Sequence, residues 1–202
     1  MDENILEWLL SDDTPEVRLR TLKEYQKLSD DNPKVIECKS KLLQSKIYER
    51  GLKKDKPWEK FDAIMAFAEW GLTREDIGSD IDEEVFSLIQ STGFKMLCGE
   101  PYLLRNLYRT DNRETPMVDV MLETFYPSDP IKVGVQNIVY ALRVLGCPGE
   151  SEAMQAGYKV LNRYRLDNGR YILTASKSVP AFKAGKIGEE NKWITLYAYM
   201  AQ

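Results

Sequence analysis

The sequence predicts an all-α fold in a single domain that spans residues 1–202. A nine-residue apolar pattern occurs at residues 58–66 and 193–201, and in a looser form at 133–141. Each copy has a small residue at the same register, and two copies open on a tryptophan, Trp58 and Trp193. Because a repeated unit buries its apolar face against its neighbours, this recurrence predicts a helical-repeat architecture.

Prolines and capping residues predict where the helices of the first half begin. A short amphipathic helix follows Ile5, and Pro15, Pro33 and Pro57 each lie where a first helical turn tolerates proline. The apolar spacing predicts that the Pro33 helix continues through Ile47. Gly71 is placed to follow the last residue of the Pro57 helix.

In the second half of the chain, prolines, glycines and capping residues again predict where helices begin and end. Helices are predicted after Asp80, twice within 101–125, from Val133 to Gly146, from Ser151 to Tyr164, and from Trp193 onward. Residues 166–191 are the least periodic stretch, and 170–174 is the only short strand candidate. Over the whole chain, these start and stop signals predict roughly nine to eleven helices.

The amino-acid composition limits the classes of binding partner and the cellular location that we expect. The 28 basic and 32 acidic residues are interspersed and give a net charge of −4, whereas nucleic-acid binding needs clustered Lys and Arg. We therefore expect no nucleic-acid partner. No apolar run reaches the length of a membrane span and the first residues are acidic, so we expect a cytoplasmic protein without a membrane span.

The chain contains no histidine, which excludes Ser-His and Cys-His nucleophile systems and His-containing zinc sites. Acid–base chemistry would fall to carboxylates, Tyr, Lys or Cys. The cysteines, Cys38, Cys98 and Cys147, are odd in number and widely spaced, which indicates buried free thiols rather than disulfides. We expect no metal and no cofactor.

Several segments, in order, resemble proteins with prenyltransferase and squalene-cyclase repeats. These segments are residues 8–22 (WLLSDDTPEVRLRTL), 146–153 (GCPGESEA), 161–171 (LNRYRLDNGRY) and 192–196 (KWITL). The resemblance implies an α/α toroid, either a small closed ring or a partial ring of helical hairpins around an apolar cavity. The chain departs from the repeat pattern at Tyr171, where the family has Trp, and at Asn168, where an acidic residue is usual.

One acidic cluster is a weak candidate for catalysis. Asp80, Asp82 and Glu83 differ by one residue from the Asp-x-Asp-Asp acid of protonating terpene cyclases, in which the middle Asp would donate the proton. Carboxylates that cap a solvated helix N-terminus explain the same residues, and we prefer that interpretation.

The repeated helices supply the candidate ligand-binding residues, which are Trp58, Asp62, Tyr140, Trp193 and Tyr197. If these helices form the inner wall of a ring, their aromatic side chains line a pocket for an apolar ligand. Ordinary core packing is the competing interpretation for each ring.

The sequence thus predicts a repeat protein that binds an apolar small molecule or a protein partner, without the metal-dependent catalysis of the family. A small terpene-cyclase-like or prenyl-transferring enzyme is the alternative. A HEAT-like protein-interaction module is a further alternative, which residues 14–18 (TPEVR) and the helix after them suggest.

Overall fold

A computed structural model describes residues 1–54, 57–78, 143, 148–174 and 185–202 of the chain. Of these described residues 61% are helical and none lies in a strand, which confirms the all-α prediction. The chain divides into two compact units, one of Met1–Leu10 with Asn112–Gln202 and the other of Ser11–Asp111. The single domain over residues 1–202 stays a prediction.

In the unit Ser11–Asp111 the structure describes the helices α2 (Pro15–Arg20), α3 (Pro33–Leu43), α4 (Lys46–Leu52), α5 (Pro57–Glu69) and α6 (Arg74–Ile77). A π-helix, Thr21–Tyr25, continues α2 directly. Pro15, Pro33 and Pro57 each occupy the first position of a helix, as the sequence predicts.

The end of α5 follows the sequence closely. Gly71 has φ +91, and its N–H bonds the carbonyl of Ala68 at 2.9 Å. The N–H of Leu72 bonds the carbonyl of Phe67 at 3.1 Å. This pair of bonds is the Schellman motif, in which a left-handed glycine ends a helix.

The prediction that one helix runs from Pro33 through Ile47 is wrong. α3 ends at Leu43, and Ser45 begins α4 by accepting a hydrogen bond from the Tyr48 N–H at 3.2 Å. The apolar spacing was misleading because Ile47 does not join the core: its side chain is 36% exposed, whereas Leu42 of α3 and Tyr48 of α4 are buried there. In that core the Phe67 ring lies 4.7 Å from Tyr48 and 5.2 Å from Trp70, measured between ring centroids.

In the other unit the structure describes α1 (Glu3–Leu9), α7 (Glu152–Leu161) with a 3₁₀ turn at Asn162–Tyr164, and α8 (Lys192–Ala201). The strand candidate at 170–174 contributes only isolated antiparallel bridges, Arg165 with Tyr171 and Ile172 with Glu190. A hydrogen bond links α7 to the end of α8: the Tyr158 hydroxyl donates to the carbonyl of Ala201 at 2.8 Å. None of the described helices combines the length and the apolar character needed to cross a membrane.

Candidate functional site

Helix α8 positions the two candidate ligand-binding residues that the structure describes with their side chains. Asn191 caps the helix by accepting a hydrogen bond from the Ile194 N–H at 3.1 Å. Trp193 and Tyr197 are one turn apart, so they share a face, and their ring centroids are 5.6 Å apart at a tilt of 35°. Trp193 is 3% exposed and Tyr197 2%. The structure therefore brings these two sequence-predicted candidates together on one buried face of α8.

Trp193 also brings a polar atom into this buried region. Within the described part of the chain, its indole nitrogen Nε1 is buried and has no hydrogen-bond partner. An indole N–H is a donor only, and leaving such a donor buried without an acceptor costs about 1–3 kcal/mol. The Trp193 ring thus differs from a purely apolar core residue.

Tyr171 fixes α8 against the loop that precedes it. The Tyr171 N–H donates to Thr195 Oγ1 at 3.0 Å, and its carbonyl accepts from the Asn191 N–H at 3.0 Å. Its fully buried ring meets the Tyr199 ring edge-on, with centroids 6.1 Å apart. Burial raises the pKa of the Tyr171 hydroxyl, although a hydrogen bond from Gln202 opposes that shift. The hydroxyl therefore stays protonated at neutral pH and acts as a structural group.

A tight turn brings Gly169 against the first helix. The Gly169 N–H bonds the Leu166 carbonyl at 2.9 Å, and its φ is +81. A Cβ at this position would lie 2.7 Å from Ile5 Cδ1 and 3.1 Å from the Tyr199 hydroxyl. That hydroxyl donates to the Gly169 carbonyl at 3.1 Å. Only glycine combines this backbone conformation with this close approach.

A charged and aromatic cluster surrounds Trp8. The Arg170 guanidinium carbon lies 4.1 Å from the Trp8 ring centroid, and Lys192 Nζ lies 5.5 Å from it. Glu190 holds Arg170 at 2.6 Å and also accepts from Asn168 Nδ2 at 2.7 Å. The hydrogen bond from Arg170, followed by that from Asn168, lowers the pKa of the Glu190 carboxyl. The cluster joins α1 to the start of α8.

No protein-family model, curated protein or solved structure matches this chain. The assignment of a function therefore depends on the geometry above. Among the described residues, no group of three or more Cys, Asp or Glu side chains has an arrangement that could hold a metal ion.

The other sequence-predicted residues are placed only in part. Trp58 and Asp62 lie on α5, in the unit Ser11–Asp111, and their side chains fall outside the described part. Tyr140, a ligand-binding candidate, also lies outside the described residues. The three acidic candidates for catalysis, Asp80, Asp82 and Glu83, lie outside them too. Their roles remain predictions.

Sequence reasoning missed Trp8 and Glu190 as neighbours of the α8 start. The residues of the Trp8 cluster come from α1, from the turn after α7, from the segment before α8 and from the first residue of α8. Helical periodicity reports only on residues within one element, so no periodic signal connects them. The sequence also does not indicate that Nε1 of Trp193 is buried without a hydrogen-bond partner among the described residues.

Proposed function

We propose that this protein binds an apolar small molecule, and that Trp193 and Tyr197 of α8 form part of the binding wall. The observation that carries the proposal is the buried ring pair of Trp193 and Tyr197, with 5.6 Å between the ring centroids, on a helix whose second residue is Trp193. Binding sites for small molecules are lined mainly by apolar and aromatic side chains with a few polar groups. The ring pair with the Trp193 N–H has that composition.

The register of the repeated pattern supports the toroid-like arrangement in this proposal. α5 and α8 each begin one residue before their tryptophan. Alanines follow at equal spacing in both helices and are buried: Ala63 and Ala66 in α5, and Ala198 and Ala201 in α8. Small buried residues at one register allow close helix packing, which inner helices of a ring require.

The region before α8 also has the features of one repeat of the prenyltransferase and squalene-cyclase type. A Pro148–Gly149 turn leads into α7, which Ser151 caps by accepting from the Met154 N–H. The Gly169 turn follows, and Tyr171 takes the position of the repeat's Trp with its ring fully buried. A buried aromatic at this position supports the resemblance despite the substitution.

The available residues favour ligand binding over catalysis. The chain has no histidine, and Asn191 and Thr195, which flank Trp193, accept hydrogen bonds from the Ile194 and Tyr171 backbone N–H groups. The enzyme alternative depends on Asp80, Asp82 and Glu83, which the structure does not describe.

The test is saturable binding of a neutral apolar fluorophore, N-phenyl-1-naphthylamine, to the full chain. We expect one site, with affinity lowered at least about tenfold in Trp193→Ala, since a large buried aromatic contact is lost. Trp70→Phe is the matched control because Trp70 is a fully buried indole in the other unit. Native mass spectrometry of the purified protein provides a second readout, through any apolar molecule that co-purifies.

Absence of saturable binding, together with an empty monomer in native mass spectrometry, would count against the proposal and favour the protein-interaction alternative. Equal affinity in the wild type and in Trp193→Ala would remove Trp193 from the binding wall. Circular dichroism of each variant confirms that the helices are retained.

A further inference from the structure

The polar feature of the candidate site is the indole N–H of Trp193. The side chain is 3% exposed, and Nε1 has no acceptor within the part of the chain that the structure describes. Buried donors in folded proteins are nearly always satisfied, because water no longer compensates for the missing bond. An indole at this position therefore has a donor that the described protein atoms do not use.

The side-chain hydrogen-bond acceptors closest to Trp193 along the chain already have other donors. Asn191 Oδ1 accepts from the Ile194 N–H at 3.1 Å, and so caps α8. Thr195 Oγ1 accepts from the Tyr171 N–H at 3.0 Å. Both contacts hold the backbone of the site in place, so a turn of either side chain toward Nε1 would leave another buried N–H without its acceptor.

We infer that the bound molecule carries a neutral carbonyl oxygen that accepts a hydrogen bond from Trp193 Nε1. This inference rests on the proposed function, and it adds the chemical class of the ligand: an apolar ketone, aldehyde or ester rather than a plain hydrocarbon. A phenylalanine would supply the same apolar packing without the unsatisfied donor.

The charge distribution supports a carbonyl oxygen over the other polar groups. Trp193 is the second residue of α8, near the positive end of the helix dipole, and the first turn has no acidic residue. A cation would be repelled there, and a group that only donates cannot pair with the indole N–H. A full carboxylate is disfavoured because its desolvation in this buried aromatic region costs far more than that of a neutral carbonyl.

The test uses two probes of closely similar shape, 2-acetylnaphthalene, which has a carbonyl, and 2-isopropenylnaphthalene, in which a C=CH₂ group replaces the carbonyl. The chain has four tryptophans, so its ¹⁵N spectrum has four indole N–H signals, and Trp193→Phe assigns one of them. We expect the ketone to shift the Trp193 indole proton downfield and to bind about three- to tenfold more tightly than the hydrocarbon.

The controls separate this inference from the proposed function. In Trp193→Phe we expect the two probes to bind equally, because the ring remains and the donor is gone. If both probes bind the wild type with equal affinity and the Trp193 indole proton does not move, the carbonyl inference is wrong and the binding proposal stands. If neither probe binds saturably, both are wrong. The comparison of the two probes in the wild type does not require any variant to fold. If Trp193→Phe does not fold, the variants Trp8→Phe, Trp58→Phe and Trp70→Phe assign the Trp193 indole signal by elimination.

Discussion

The guanidinium of Arg170 lies over the indole ring of Trp8, with 4.1 Å between the guanidinium carbon and the ring centroid. Glu190 pairs with the same guanidinium, with 2.6 Å between its Oε2 and Arg170 Nη1, and this ion pair restricts the orientation of the guanidinium over the ring. A cation placed over an indole face gains electrostatic attraction as well as packing. This contact connects α1 to the loop that positions α8, and therefore connects α1 to the candidate site.

Removal of the Trp8 ring should destabilise this unit. We expect Trp8→Ala to lower the free energy of unfolding by about 1–3 kcal/mol, since the variant loses the cation–π contact and half-buried apolar area. Glu7→Ala is the control, because Glu7 is an exposed residue of the same helix and should change stability by less than about 0.5 kcal/mol. Urea denaturation measures both, and equal effects would show that the Trp8 contact contributes nothing specific.

The close approach of Gly169 to Ile5 gives a second stability prediction. Gly169→Ala places a methyl group where Ile5 Cδ1 would be 2.7 Å away, at a φ of +81. Gly188→Ala has a similar φ of +88 but meets no atom within 4 Å. Both variants incur the backbone penalty of about 1–2 kcal/mol, and we expect Gly169→Ala to lose about 1–3 kcal/mol more.

A double variant identifies the contact responsible. Ile5→Val removes the Cδ1 atom, so Gly169→Ala should be less harmful in the Ile5→Val background than in the wild type. Thermal unfolding of the four proteins forms a double-mutant cycle. If the effects of the two substitutions are additive, the clash does not involve Ile5 Cδ1. The next neighbour of the added Cβ is the Tyr199 hydroxyl, at 3.1 Å.

The sequence predicted the helix boundaries that depend on local chemistry. Pro33 at a first turn, Gly71 in a Schellman motif and Trp193 near the start of the last helix each follow from one residue and its immediate neighbours. The pairing of Trp193 with Tyr197 was also predictable, since residues four apart share a helical face.

Features that depend on contacts distant in sequence could not be predicted in this way. The contacts of Lys23, which lies in the π-helix Thr21–Tyr25, are an example: its Nζ donates to the Gly71 carbonyl at 2.8 Å and pairs with Asp30 at 2.9 Å. Nothing in the local sequence indicates either partner. The ammonium group of Lys23 lies at the C-terminal end of α5, where it is favourable because that end of the helix dipole is negative.

The paired carboxylate of Asp30 predicts an acid-sensitive contribution to stability. Burial acts to raise its pKa, but the hydrogen bond and charge of Lys23, with Lys39, outweigh burial and lower it below 3.8. The stabilising effect is therefore present at neutral pH and is lost as the pH falls through the lowered pKa. We expect Asp30→Asn to unfold more readily at pH 7 and to differ less from the wild type in strong acid.

The neighbouring Asp31 provides the control for this measurement. Its carboxylate accepts a hydrogen bond from Ser29, and within the described residues it contacts neither Lys23 nor Lys39. Asp31→Asn makes the same change of charge, so a similar loss of stability at pH 7 would assign the Asp30 effect to net charge rather than to the lysine pairs.

Cys38 gives the opposite pH dependence. Its side chain is 2% exposed and its thiol donates to the Pro15 carbonyl at 3.4 Å, which is the buried free thiol that the sequence predicts. Burial raises the pKa of Cys38 from 9.0 to about 11. Because the folded state holds this proton more tightly than the unfolded state, the contribution to stability is full below pH 9 and falls as the pH rises toward 11.

Two measurements check the role of Cys38. Since the thiolate is the reactive form, iodoacetamide at pH 8 should label Cys38 far more slowly in the folded protein than after denaturation, as quantified by peptide mass spectrometry. The free energy of unfolding should decline less steeply above pH 9 in Cys38→Ala than in the wild type, although the variant is less stable overall because a small cavity remains. Identical slopes would mean that Cys38 titrates alike in both states, and rapid labelling of the folded protein would mean that the thiol is not buried against α2.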